Sequence, residues 1–213
     1  MITPAGQGVV AVVLAAGLAT RFGSAKVLAL LDGRPLLVHV LERLATAGVG
    51  DAVVVVGDDA AAIESALDGM PARIVRNPDP ARGLSSSLVL GVAAARERRP
   101  DAIAVALADQ PRLDPAVVSA LLAAADDPAR PLIVPRYSDR ANPNPVVMLP
   151  AAFDLVREAA GDRGLGPVIA RHPELVHEVP VEGANPDVDT PADLAALAAG
   201  DETGARRVGH PVG

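Results

Sequence analysis

Short runs of Val, Ile and Leu recur along this chain between alanine-rich segments of helical spacing, and that alternation admits few folds. It is the pattern of parallel strands joined by crossover helices. Residues 9–15, 52–56, 73–75, 102–107, 132–135, 146–148 and 176–181 read as strands. The run AIAVAL at 102–107 is apolar throughout, as strands covered on both faces are. Between the first two strands, Leu37, Val40, Leu41 and Leu44 fall on one helical face, and Gly48 stands where a helix C-terminal glycine belongs. Asp114-Pro115 and Thr190-Pro191 each set a capping side chain before a proline at a first helical position. The stretch PRYSDRANPNP, 135–145, breaks the rhythm and reads as a loop or a departure from the parallel sheet, placed to shape an acceptor pocket. The expectation is one α/β domain, three-layered and Rossmann-like with a mostly parallel sheet, over 9–199. The Gly-rich, aperiodic ends, 1–8 and 200–213, are expected to fray.

Composition narrows the function. One Tyr, two Phe and no Trp leave little to stack bases on, and a net charge of −7 opposes a polyanion, so nucleic acid is not the expected partner. The absence of cysteine removes disulfides, thiolate metal sites and thiol nucleophiles, and the four histidines show no ligand spacing. The apolar run at 9–19 falls short of the roughly 20 residues a spanning helix needs, and no cationic stretch precedes it. A soluble, cytoplasmic protein without membrane partners is expected.

The most informative segment is VVLAAGLATRFGSAK, 12–26, a strand running into a glycine-containing loop. Glycines let backbone amides approach an anion, and Arg21 and Lys26 are spaced to reach different phosphates of one triphosphate. Neither the GxGxxG dinucleotide fingerprint nor the GxxxxGK[ST] loop is present. Asp109 follows a strand almost at once, at the sheet edge where open parallel sheets bind ligands. Asp187 and Asp189 are two apart, so an extended segment points both to one side. Gly83-Leu84-Ser85-Ser86-Ser87 opens a helix and gathers hydroxyls and amides at its N-terminus. It lacks the closing glycine of a GxSxG nucleophile elbow, so serine-hydrolase chemistry is set aside.

Taken together, LAAGLATRFGSAK (14–26), NPDPARGLSSSL (77–88), ALADQP (106–111), NPVV (144–147), GDRG (161–164) and DVDTPADL (187–194) resemble the molybdenum cofactor cytidylyltransferase group of MobA-like nucleotidyltransferases. The first block belongs to the wider superfamily; the serine block with LADQP and DVDTP is narrower. The resemblance implies the nucleotide-diphospho-sugar transferase fold and transfer of CMP from MgCTP to a phosphate-bearing acceptor, molybdopterin, with release of pyrophosphate and delivery to a molybdoenzyme. It implies that Leu14, Ala15, Ala16 and Gly17 meet base and sugar through backbone, and that Arg21 and Lys26 hold the triphosphate. Gly83, Ser85, Ser86 and Ser87, with Asn77, would help recognise the nucleotide. Asp109 and Asp189 would carry Mg²⁺ or Mn²⁺, making Lys26, Arg21 and Asp109 the catalytic set, with Asp187 as a weaker candidate, either a ligand or a support for one. In the related enzymes LAAG accompanies CTP and LAGG accompanies GTP, so Ala16 favours cytidine. Tyr137, Arg140, Asn144, Asp162 and Asp187 are the acceptor-side candidates.

Three features depart from the resembled pattern, all toward the acceptor: Pro80 stands in place of an aromatic residue, Asn144-Pro145 follows a proline rather than the usual glycine turn, and Gly164 is followed by Leu165-Gly166 rather than Ala-Arg. The alternatives are a guanylyltransferase of the same fold, a cytidylyl- or uridylyltransferase acting on a sugar or polyol phosphate, and a catalytically silent nucleotide-binding regulator or cofactor-delivery module. A nicotinamide-dependent oxidoreductase ranks last, for want of the glycine fingerprint.

Overall fold

A computed structural model describes residues 8–17, 25–138 and 143–205, with backbone alone at 200–205. In chain order the elements are β1 (Val9–Ala15), β2 (Leu30–Leu31), β3 (Arg34–Pro35), α1 (Leu36–Thr46), β4 (Asp51–Val56), α2 (Ala60–Ala66), β5 (Ala72–Arg76) and α3 (Leu84–Arg96). They continue with β6 (Ala102–Leu107), α4 (Pro115–Ala123), β7 (Leu132–Arg136), β8 (Val146–Met148), α5 (Gly166–Arg171), β9 (Val176–Pro180) and α6 (Pro191–Ala205), with short 3-10 segments between them.

Seven strands form one sheet in the order β5-β4-β1-β6-β8-β7-β9, and β2 and β3 make a separate antiparallel pair. The pairs β1–β4, β1–β6, β4–β5 and β7–β9 are parallel, whereas β8 runs antiparallel to both β6 and β7. The proline-rich stretch therefore does depart from the parallel rhythm, by turning the chain back between β7 and β8.

Alternating residues of the same strands feed two cores, which is why the strands read as continuous apolar runs. Val9, Ala11, Val13 and Ala15 of β1 pack with Leu37, Val40, Leu41 and Leu44 of α1 and with Val117 and Leu121 of α4. Val10, Val12 and Leu14 pack on the other face with Leu88 and Val92 of α3 and with Phe153 and Val168. Gly91 lets α3 lie directly on the sheet, since a Cβ there would fall 2.5 Å from a Val12 methyl and 2.8 Å from one of Val55.

The expected helix boundaries follow their punctuation. Gly48 lies just past α1 with φ of +90°, and Asp114 accepts a hydrogen bond from the Ala116 amide at the start of α4. At the start of α6, Thr190 and Asp193 cap each other's amides, at 2.7 and 3.2 Å. The backbone of α6 runs through Ala205, past residue 199 where the domain was expected to end. The expected fraying at 1–7 and 206–213 falls outside the described residues. No described helix is long and apolar enough to cross a membrane.

Candidate active site

The chain leaves β1, builds β4 and β5 on one side, and crosses back to place β6 on the other. The crevice outside the carboxyl ends of β1 and β6 is thus a topological switch point, where open α/β sheets bind ligands. Ala16 and Gly17 follow β1 there, Asp109 follows β6, and Lys26 arrives in a 3-10 turn spanning Lys26–Leu28. The DVDTP segment is tied to the same edge by a hydrogen bond from the Val188 amide to the Asp109 carbonyl, 2.9 Å.

Three predicted charges meet at this edge. Lys26 Nζ donates to Asp109 Oδ2 at 2.7 Å and to Asp189 Oδ1 at 3.0 Å. Desolvation, the largest single influence on Lys26, disfavours its charge, but the attraction of Asp109 and the hydrogen bonds to both carboxylates outweigh it and raise its pKa above the usual lysine value. Lys26 is therefore a firmly held cation. Asp109 Oδ1 is buried and has no hydrogen-bond partner. An unsatisfied carboxylate oxygen in such a place fits the hard oxygen ligand that a divalent cation needs.

Asp187 turns to a different neighbour. Gln110 Nε2 donates to its Oδ1 at 2.7 Å, Gln110 Oε1 accepts from Asn185 Nδ2 at 3.0 Å, and the same Asn185 amide reaches the Asn144 carbonyl at 3.3 Å. Gln110 and Asn185 are both buried, so this amide clamp locks together three loops that are distant in sequence. Neither residue was singled out from the sequence. Gln110 lay inside the quoted LADQP block, and its glutamine was the signal available.

Burial first, and then the charges of Asp109 and Asp189, raise the Asp187 pKa against the opposing Gln110 hydrogen bond. A carboxyl whose folded pKa lies above its unfolded value gives stability that is complete below the unfolded pKa, and lost as pH rises through the folded one. Above that window the ionised Asp187 is a cost to the fold. Asp187→Asn, melted without divalent ions, is expected to be more stable than the parent at about pH 7 and to lose that advantage at about pH 3, below the ordinary aspartate pKa. An advantage that persists or grows in acid contradicts this assignment.

Some of the nominated residues line two cavities. One, of about 400 Å³, is walled by Leu14, Leu84, Leu107 and Ile169 and rimmed by Asn144, Asp162, Arg163 and Asp187. It brings together three of the acceptor candidates. The other, of about 460 Å³, takes in Asn77, Ser85 and Ser86 with Arg82 and Arg157. Ala15 and Ser87 are buried.

The three serines open α3 as expected, but none caps it: its N-cap is Gly83 and carries no side-chain cap. Instead Asn77 Nδ2 donates to Ser86 Oγ at 2.8 Å and to Ser87 Oγ at 2.9 Å, and Ser86 Oγ donates to the Gly83 carbonyl at 2.8 Å. The hydroxyls fasten the loop to β5 because a buried asparagine amide competes for them more closely than the helix amides do. Tyr137, nominated with Asn144, Asp162 and Asp187, does not line the cavity that holds them: it is buried in the opposite core and donates to the Asn144 carbonyl at 3.0 Å, so it anchors the loop from behind. Arg21 and Arg140 lie outside the described residues.

A lysine clasped by two aspartates thus sits at the switch point of a mostly parallel sheet in an α/β protein. Residues 11–176 match the MobA-like NTP transferase domain, and the chain belongs to that family. It is 35% identical over 208 residues to the molybdenum cofactor guanylyltransferase of Burkholderia cenocepacia (strain HI2424), covering 93% of this chain and 99% of that one. It is 34% identical over 201 residues to the nicotine blue oxidoreductase of Paenarthrobacter nicotinovorans, covering 89% and 96%. Among solved structures it is similar to Rv0371c from Mycobacterium tuberculosis H37Rv, with a TM-score of 0.76 and 29% identity over 90% of this chain and 98% of that one. A manganese complex of Rv0371c superposes with a TM-score of 0.70, at 27% identity and the same coverage.

Proposed function

We propose that this chain transfers CMP from CTP to a phosphate-bearing acceptor, the molybdenum cofactor, and releases pyrophosphate. The observation that carries the reading is Lys26 held between Asp109 and Asp189 at the switch point. An acceptor phosphate oxygen attacks the α-phosphorus in line, the bond to the β-phosphate breaks, and pyrophosphate departs with the electron pair. No covalent enzyme intermediate is required, so the work of the protein is positioning and charge neutralisation.

Asp109 and Asp189 would hold a divalent cation. Such an ion, Mg²⁺ or Mn²⁺, supplies charge neutralisation for the phosphates when bound. The rest of its coordination shell would come from substrate oxygens and water. In the protein alone Lys26 balances these carboxylates; with nucleotide present the same ammonium is available to the phosphates.

Cytidine rests on Ala16, buried at the end of β1, in the position that LAAG shares with CTP users. The guanylyltransferase relative favours GTP as the second reading. The oxidoreductase name of another relative makes an oxidoreductase with a nicotinamide ligand the third reading to test. Calorimetric titration with CTP, GTP and NADPH, each with and without Mg²⁺ and with Asp109→Ala as control, separates the three. CTP is expected to bind at least about tenfold tighter than GTP, a gap of about 1.4 kcal/mol, and to lose its metal dependence in the control. Tighter GTP binding overturns the cytidine assignment, and metal-independent NADPH binding overturns the transferase.

A further inference from the structure

The cavity beside the lysine contains a cation that no part of the mechanism has used. Arg163 lines it together with Asp162, Asn144 and Asp187, and it is the only cationic side chain among the described residues that do so. Lys26 is engaged with its two carboxylates outside that lining. Arg163 is exposed, and among the described residues no ion pair or hydrogen bond engages its guanidinium. By contrast Arg96, Arg73 and Arg76, on the outer surface, each sit within 3.0 Å of a carboxylate oxygen.

The placement of Arg163 is built into the backbone. It ends the 3-10 turn Gly161–Arg163, which packs against the start of α3. Gly83 presents no side chain to this turn, where a Cβ would lie 2.6 Å from the Gly161 carbonyl carbon. Gly164 does the same on the other flank, where a Cβ would meet Leu84 at 3.0 Å. The guanidinium is thus offered at the rim of a cavity whose walls, Leu14, Leu84, Leu107 and Ile169, are apolar and whose other charges, Asp162 and Asp187, are negative.

An anionic acceptor entering such a cavity needs a cation that is not already neutralised. A guanidinium matches a phosphate's geometry with paired donors, which a point charge does not. Resting on the transferase reading above, we infer that Arg163 holds the acceptor through its phosphate monoester, with the body of the acceptor against the apolar wall. This assigns acceptor recognition to a residue within the GDRG turn itself, in a chain whose turn lacks the following Ala-Arg.

The test is calorimetric binding of molybdopterin, and separately of phenyl phosphate, to the full chain and to Arg163→Ala and Arg163→Lys, with MgCTP titrated in parallel. Arg163→Ala is expected to weaken both phosphate monoesters about tenfold or more, with Arg163→Lys intermediate, because one charged hydrogen-bonded contact is lost. MgCTP affinity should stay within about twofold, since none of the residues nominated for the nucleotide lies in the turn that carries Arg163. Equal monoester binding by the parent chain and Arg163→Ala overturns the assignment, as does failure of the parent chain to bind either monoester while MgCTP still binds. Failure of MgCTP itself to bind the parent chain is the separate signature that the transferase reading has failed, and the inference falls with it.

Discussion

Lys26→Ala is expected to slow nucleotidyl transfer by about 10²-fold or more, the range seen when one preorganised charge-stabilising donor is removed. A unit charge 4 Å from a phosphate oxygen is worth about 4 kcal/mol at an effective dielectric of about 20. A hundredfold loss corresponds to only about 2.7 kcal/mol and so leaves room for compensation by solvent. The half-buried setting matters, because Lys26 and Asp109 have side-chain exposures of 17% and 21%, well below those of the outer surface pairs.

The same substitution should act in the opposite direction on metal. Lys26 occupies one oxygen of Asp109 and one of Asp189, so its removal leaves both carboxylates without their cation. Mn²⁺ titrated without nucleotide should therefore bind Lys26→Ala at least as tightly as the parent chain, while turnover collapses. A full-speed Lys26→Ala enzyme would remove the lysine from the mechanism. A variant that lost metal binding and turnover together would show Lys26 to be a structural support for the two aspartates.

The strands were legible because a buried parallel strand leaves an unbroken apolar run, and each of the seven expected runs is a strand within about a residue of its bounds. The two-residue strands β2 and β3 and the short α2 left no comparable signal, since neither is long enough to show a period. Lys26, Asp109 and Asp189 were legible for another reason: each lies in a motif of recognisable spacing, and the switch point brings the motifs together. What could not be read were pairings across long sequence separations. Gln110 and Asn185 meet over 75 positions, and nothing local in either segment records the other. The direction of a side chain was similarly hidden: Tyr137 lies beside the acceptor loop in sequence, yet points into the core on the far side of the sheet. Arg163 carries no signal of its own in the sequence, because the GDRG block stands out there for the Ala-Arg it lacks beyond Gly164, whereas in the fold the turn brings this exposed arginine to the cavity rim.

The largest structural effect is expected at Gly83, where one backbone position joins both halves of the site. Its φ of +90° and ψ of −180° fall in a region that only glycine occupies readily, so an alanine there is strained by about 1–3 kcal/mol. The alanine methyl would also sit 2.5 Å from Asp162 Oδ1 and 2.6 and 2.7 Å from the Gly161 carbonyl carbon and oxygen. The carboxylate can rotate away, but the backbone atoms cannot, so the GDRG turn must move off the start of α3; overpacking of this kind adds about 1–3 kcal/mol. Together these predict a loss of roughly 3 kcal/mol or more, which at about 2–4 °C per kcal/mol for a chain of this size lowers the melting temperature by roughly 6–12 °C. Gly69→Ala supplies the control, because Gly69 also has a left-handed φ, +78°, but has nothing within 4 Å of the added methyl. It should show backbone strain alone and melt well above Gly83→Ala. Since the displaced turn carries Arg163 and the displaced helix start carries the serines, Gly83→Ala should weaken nucleotide and phosphate-monoester binding together, whereas Arg163→Ala weakens only the second. Equal melting of the two glycine variants would mean that the turn yields freely, and that Gly83 does not couple the two binding regions.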